Sequence, residues 1–165
     1  MAGWADKLAG EVLPSYGPYF SYMRKEPVGV VGAIVAWNFP LMLMNWKIAP
    51  ALAAGCTVVF KPAEQTPLTA LRVGELIMEA GFPEGVVNIL PGFGDTGSTL
   101  CKHPGVDKIS FTGSTEVGLE IMRTSHEHRL KKITLELGGK SPHIILNDAN
   151  IERAIGNVKL GMFFN

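Results

Sequence analysis

Cysteine is scarce: only Cys56 and Cys101 occur among 165 residues, and no Cys-x-x-Cys pair exists. That excludes a disulfide-stapled scaffold and points to a reducing compartment, cytoplasmic or alternatively mitochondrial. The four histidines lack metal-ligand spacing, and His126 and His128 fall in a polar stretch that reads as a solvated turn. Excess charge is lacking as well. Fifteen basic residues balance fifteen acidic ones, so nothing electrostatic calls for nucleic acid or an anionic membrane as a partner. Long apolar runs are missing: Val28–Trp37 and Ile48–Phe60 are too short and too interrupted to cross a bilayer. No charged segment followed by an apolar one opens the chain in the manner of a secretory signal. Repeats, low-complexity tracts and charge blocks are absent too.

What is present is ordinary globular composition, 47% apolar and 18% charged, in a length that suits one domain with a real core. Mean hydropathy is +0.20, a little high for an isolated domain and expected of one whose packing partners lie elsewhere.

From Val28 onward, short β-branched runs alternate with helical patterns. Strands are expected at Val28–Ala36, Thr57–Lys61, Val86–Leu90, Lys108–Phe111, Ile133–Leu137 and His143–Leu146. Helices are expected at Leu41–Ala54, Thr66–Ala80, Thr96–Lys102, Ser114–Arg123 and Ile151–Asn165. Thr66 and Pro67 suit the N-cap and first position of the second helix, and Leu68, Leu71, Leu76 and Met78 are its candidate inner face. This alternation implies parallel βαβ units, hence an α/β fold with a doubly wound, mostly parallel, Rossmann-like sheet. Residues 1–27 stand apart as an N-terminal arm, with a hairpin from Glu11–Leu13 and Tyr19–Arg24, and residues 28–165 form the domain. The closing helix ends in apolar Gly161-Met162-Phe163-Phe164-Asn165, as though the chain stopped inside a core.

Five segments are chemically suggestive. Gly92-Phe93-Gly94-Asp95-Thr96-Gly97 matches the dinucleotide Gly-x-Gly-x-x-Gly pattern, yet the next strand ends in Phe111-Thr112-Gly113, without the ribose-binding acid. A tight turn needing glycine dihedrals is its plainer reading. Gly113-Ser114-Thr115-Glu116-Val117-Gly118 opens a helix whose free N–H groups suit a phosphate, though a Ser cap explains it equally well. Lys61-Pro62-Ala63-Glu64 closes a strand and offers a cation and an acid to the two hydroxyls of a ribose; alternatively it is a solvated loop pair. Asn38, in Trp37-Asn38-Phe39-Pro40, is a neutral donor for an oxyanion or the start of an Asx turn. Glu136 lies between two leucines, where burial would raise its pKa toward that of a general base, unless a lysine pairs with it. Gly138-Gly139 would let backbone approach a ligand. Cys56 reads as buried and inert, and Cys101 sits beside Lys102 and His103, which would lower its pKa slightly.

In order and wording these segments resemble the aldehyde dehydrogenase family from Trp4 to Asn165. Further matching text is Glu26-Pro27-Val28-Gly29, Pro50-Ala51-Leu52-Ala53-Ala54-Gly55, Gln65-Thr66-Pro67 after Glu64, and Leu135 to Pro142, which is similar to the family's glutamate signature. The resemblance implies NAD-linked oxidation of an aldehyde to a carboxylic acid. Asn38 would stabilise the thiohemiacetal oxyanion and Glu136 would activate the water that hydrolyses the thioester. Lys61 and Glu64 would hold the adenosine ribose, and Glu64 would repel a 2′-phosphate, favouring NAD over NADP. Trp37 and Ser114 would sit by the pyrophosphate, with Gly113 and Gly118 allowing close approach. Gly94 would line the adenine side, Val35 would also touch the cofactor, and the backbone at Leu137 would meet the nicotinamide amide. In the family the nucleophilic cysteine follows Phe163-Phe164-Asn165 by a few residues, so the resemblance implies a chain cut before its nucleophile, inactive alone and part of a homo-oligomer when whole. Rival readings are a stand-alone NAD-binding or assembly module, and a hydroxyacid or alcohol dehydrogenase built on Gly92–Gly97.

Overall fold

The computed structural model describes residues 1–127 and 129–165; His128 lies outside the described residues. The elements, in order, are β1 (Glu11–Leu13), β2 (Ser21–Met23), β3 (Val30–Ile34), α1 (Pro40–Ala53), β4 (Thr57–Lys61) and α2 (Leu68–Glu79). They continue with β5 (Val87–Ile89), α3 (Gly94–Lys102), β6 (Lys108–Thr112), α4 (Thr115–Thr124), β7 (Lys132–Glu136) and α5 (Ile151–Phe163). Strands β1 and β2 pair antiparallel as a separate hairpin. The other five form one parallel sheet in the order β5-β4-β3-β6-β7. After β5 the chain returns to the far side of β3 and begins the second half with β6, so the strand order reverses between β3 and β6. Among the described residues, no helix is long and apolar enough to cross a membrane.

Side chains alternate across the sheet, as strand geometry requires. On one face Val31, Ala33, Val58 and Phe60 pack with Leu43, Met44 and Ile48 of α1 and Ala70 of α2. On the other, Ile34, Ile109 and Phe111 pack with Leu100 and Cys101 of α3 and Ile121 of α4. The near-continuous apolar text of β3 and β4 follows from this burial on both faces. Strand β7 is an edge strand, and its pattern of exposed and half-buried residues reflects cover on one side only.

A side chain also pins the amino-terminal edge of the sheet. Asp107 accepts the Val30 N–H at 2.8 Å and an ion pair from Arg129 at 2.9 Å. Gly29 beside it has φ +109°, and a Cβ there would collide with the Asp107 carboxylate. Both the left-handed backbone and the space require glycine at this position.

Four expectations are corrected. His143–Leu146 forms no strand; no strand pairs with it beyond β7, and it lies exposed in a loop where the Leu146 carbonyl accepts the Ala149 N–H at 3.1 Å. Thr66 does not cap α2: the N-cap is Pro67, and the buried Thr66 hydroxyl has no partner. The inner face of α2 is Ala70, Val73, Gly74 and Ile77, spaced i, i+3, i+4, i+7, while Leu68, Leu71, Leu76 and Met78 are exposed. Helix α5 buries none of its residues, so its apolar end is exposed rather than enclosed.

Candidate functional site

Parallel strands bring their carboxyl ends to one edge, and a reversal of strand order leaves a crevice there. A cleft of about 1150 Å³ occupies that place. Val35, Trp37 and Asn38 reach it after β3, Lys61 at the end of β4 and Glu64 just after it, and Gly94 at the start of α3. Gly113 and Ser114 line it between β6 and α4, and Glu136 and Leu137 at the end of β7. Gly118 alone among the expected residues is not a lining residue. It lies one turn inside α4, where a Cβ would stand 2.6 Å from a terminal carbon of Leu137.

The cleft runs from one face of the sheet to the other over this edge. Lys61 shares the α3/α4 face: its stem passes Gly97 of α3. It is buried, donates to the Pro62 carbonyl at 3.2 Å and meets the Glu64 carboxylate at 3.7 Å. A solvated pair does not describe it, since the lysine is fixed and only Glu64 is open to water. At the start of α4, the Ser114 hydroxyl accepts the Val117 N–H at 3.3 Å, so the serine cap is realised within the cleft wall. Gly113 keeps ordinary dihedrals, and its need is for space: a Cβ would lie 2.4 Å from the buried Phe111 ring.

At the other end, Lys47 of α1 reaches over the uncovered side of β6 and β7 and donates to the Ser110 hydroxyl at 3.1 Å. Burial pushes its pKa below the ordinary lysine value; the Glu136 carboxylate opposes that shift and Lys108 adds to it. Glu136 itself is exposed, contrary to the burial expected from its leucine neighbours. Those leucines belong to the other side and to the strand end, whereas Glu136 follows Lys132 and Thr134 on the open side of the edge strand. Asn38 is exposed, and no Asx turn is formed, because Pro40 two residues on has no N–H to donate. Its backbone carbonyl accepts from the Asn165 side-chain amide at 2.9 Å. Next to Asn38 a second hollow of about 520 Å³ is lined by Phe39, Leu41, Met42, Asn45 and Trp46.

Sequence reasoning passed over Lys47 and Trp46. The available signal was Lys47 as the one charged residue in the apolar text of α1. It also misjudged the glycine pattern. Gly94 begins α3 and Gly97 lies within it, and Gly92, Gly94 and Gly97 all avoid positive φ, so the segment is neither a loop-shaped cradle nor a turn needing glycine dihedrals. Cys101 is buried at the cleft floor, and desolvation drives its thiol up to about 11, against the weaker pull of Lys131. The lowering expected from Lys102 and His103 is therefore reversed. His126 accepts the Lys131 N–H at 3.4 Å, and no group of residues able to hold a metal occurs among the described residues.

The chain matches the model of the aldehyde dehydrogenase family over residues 1–165. It is 59% identical to retinal dehydrogenase 2 of Mus musculus, covering 99% of this chain and 32% of that protein. It is 57% identical to the mitochondrial aldehyde dehydrogenase of Homo sapiens, again over 99% of this chain and 32% of the relative. An NAD+ complex of aldehyde dehydrogenase from Bacillus cereus superposes with a TM-score of 0.94 at 54% identity, covering 99% of this chain and 33% of that one. The chain thus spans about a third of the length of the relatives it matches.

Proposed function

This chain belongs to the aldehyde dehydrogenase family, and from that premise we propose that it supplies the cofactor cleft of an enzyme that oxidises an aldehyde to a carboxylic acid. NAD is the proposed cofactor, and it would supply the hydride acceptor. The observation that carries the reading is convergence: Asn38 and Glu136, nearly a hundred positions apart, line the same cleft as Lys61, Glu64 and Ser114.

The donor set fits a dinucleotide. On the α3/α4 face, Lys61 and Glu64 offer a fixed cation and an open carboxylate to the vicinal hydroxyls of a ribose. Glu64 there would repel a 2′-phosphate. At the start of α4, the first-turn N–H groups left without a helical partner and the helix dipole suit a pyrophosphate, which Gly113 would let come close. Gly94 and Val35 would line the adenosine portion, Trp37 the pyrophosphate, and the Leu137 backbone the nicotinamide amide. On the α1 side, the Asn38 carboxamide would donate to the developing oxyanion and Glu136 would take a proton from the attacking water. The exposed apolar residues of the second hollow would receive the aldehyde, since Asn38 and Trp46 line both that hollow and the cofactor cleft.

The same proposal takes residues 1–27 as an arm, residues 28–165 as the cofactor domain, the whole protein as a homo-oligomer, and the compartment as cytoplasmic, with mitochondrial the alternative. Both cysteines are buried and free. Neither is presented to an aldehyde, so these 165 residues by themselves are expected to give no NADH from aldehyde and NAD. Amide-resolved NMR titration tests the cofactor reading. NAD is expected to bind weakly and to shift the signals of Lys61, Glu64 and Ser114, and NADP to do so less. In Glu64→Gln the gap between the two should narrow. NAD shifts that spare those three residues, or equal responses to both cofactors, would sink the assignment.

A further inference from the structure

Helix α5 lies on the outside of the molecule with none of its residues buried, yet the residues at its end return to the loop that carries Asn38. Two contacts of different chemistry meet there. The Asn165 side-chain amide donates to the Asn38 backbone carbonyl at 2.9 Å, across 127 positions of sequence. The Phe164 ring stacks on Phe39, with centroids 6.2 Å apart and planes 23° from parallel. These contacts hold the carbonyl of Asn38 and the side chain of the residue after it, so they restrain the peptide that joins the two. Restraining that peptide restrains ψ of Asn38, and the rotamers open to a side chain depend on its backbone dihedrals.

We infer that Asn165 and Phe164 are positioning residues for Asn38: a clasp from α5 that aims the otherwise unheld carboxamide into the cleft. The inference rests on the proposed role of Asn38 for its meaning, but not for its test. Three features favour a clasp over a chance surface contact. The Asn38 side chain has no Asx turn of its own to orient it, since Pro40 offers no N–H. Its loop is short, five residues between β3 and α1, so a hold on one peptide is felt along the whole connection. And the donor comes from an asparagine, whose short, planar amide is itself limited to few orientations, unlike a lysine on a long stem. In catalysis of this kind the geometry of a donor matters as much as its presence, because its contribution depends on alignment with charge that appears only in the transition state.

The test needs neither cofactor nor substrate. In the nitrogen–proton NMR spectrum of this chain, the Asn38 side-chain amide gives one pair of signals, assigned by its loss in Asn38→Asp. Asn165→Asp keeps the shape and removes the donor; Phe164→Ala removes the stack. In each variant the Asn38 pair is expected to shift and broaden, and to do so most when both changes are combined, while the pairs of the distant Asn88 and Asn150 stay in place. An Asn38 pair unmoved in both single variants overturns the inference. So does a spectrum in which Asn88 and Asn150 move as much as Asn38, because the contacts would then support the fold in general. NAD titration of the same samples separates this outcome from the cofactor reading: either can fail while the other stands.

Discussion

Two glycines in the cleft wall show how much one hydrogen atom in place of a methyl group decides. At Gly113 the obstacle to a Cβ is the ring of Phe111, itself buried against β3 and α4, which cannot retreat without opening the core. At Gly118 it is the end of the Leu137 side chain, which is 40% exposed and free to swing aside. Gly113→Ala is therefore expected to cost about 1–3 kcal/mol, the range for overpacking a core, and Gly118→Ala less. Urea unfolding of both variants checks the order; equal losses would contradict it. Cys101 provides a second prediction. With its folded-state thiol raised to about 11 from an ordinary 9.0, the group stays protonated in the folded protein over a range where the unfolded chain has already lost the proton. Stability then falls as pH rises through that window, by about 1.4 kcal/mol per unit at most. Cys101→Ser or Cys101→Ala should flatten this slope in unfolding curves collected on either side of pH 9. For the same reason an alkylating reagent at neutral pH should leave native Cys101 untouched and modify it only after denaturation.

Elements are joined by few but well-placed contacts, and Asp107 is one of them. It ties the entry of β3 to the segment before β7 through the Val30 N–H and Arg129. Asp107→Ala leaves a backbone donor at the sheet edge without its acceptor, an interaction with a charged partner worth about 1.5–3 kcal/mol. Arg129→Ala, which removes a half-exposed ion pair and an exposed hydrogen bond to the Pro104 carbonyl, should cost about 1 kcal/mol or less. Thermal unfolding of the two variants tests that ranking. The same scale explains how far the sequence could be read. Strands β3, β4 and β6 were plain because burial on both faces writes a continuous apolar run, and α4 was plain because Ser114 caps it. Helix α2 was located but turned the wrong way: its leucines outnumber the small residues, yet Ala70 is what enters the core and Gly74 what fits against Ile89 of β5. His143–Leu146 has β-branched text and no neighbour to pair with, a fact about the sheet that no local window contains. Glu136 was found by its motif, while its exposure depended on β7 being an edge. The cleft residues could be named one by one, but the passage of the cleft from the Lys61 face to the Glu136 face follows from the strand order alone.

Across the whole molecule, apolar surface is spread unevenly. Helix α5 exposes Ile155, Leu160 and Phe163, and the 143–146 segment adds Ile144 and Leu146. Exposed apolar surface on this scale favours association. The chain is expected to sediment with increasing mass as concentration rises, and Ile155→Lys with Leu160→Lys should suppress this while changing unfolding free energy by less than about 0.5 kcal/mol. Persistence of association in that double variant would place the contact elsewhere.

The central position of β3 has a temporal consequence. It finds β4 soon after it is made, but its other neighbour, β6, follows 77 residues later, the separation that the Val30–Asp107 bond closes. On the ribosome, then, the middle of the sheet stays one-sided until the second half begins with β6, with the backbone edge at Gly32 and Ile34 facing water in the meantime. Such distant pairing makes folding slow and leaves an adhesive edge waiting. The strand that anchors the finished molecule is the one most in need of protection while it is being built.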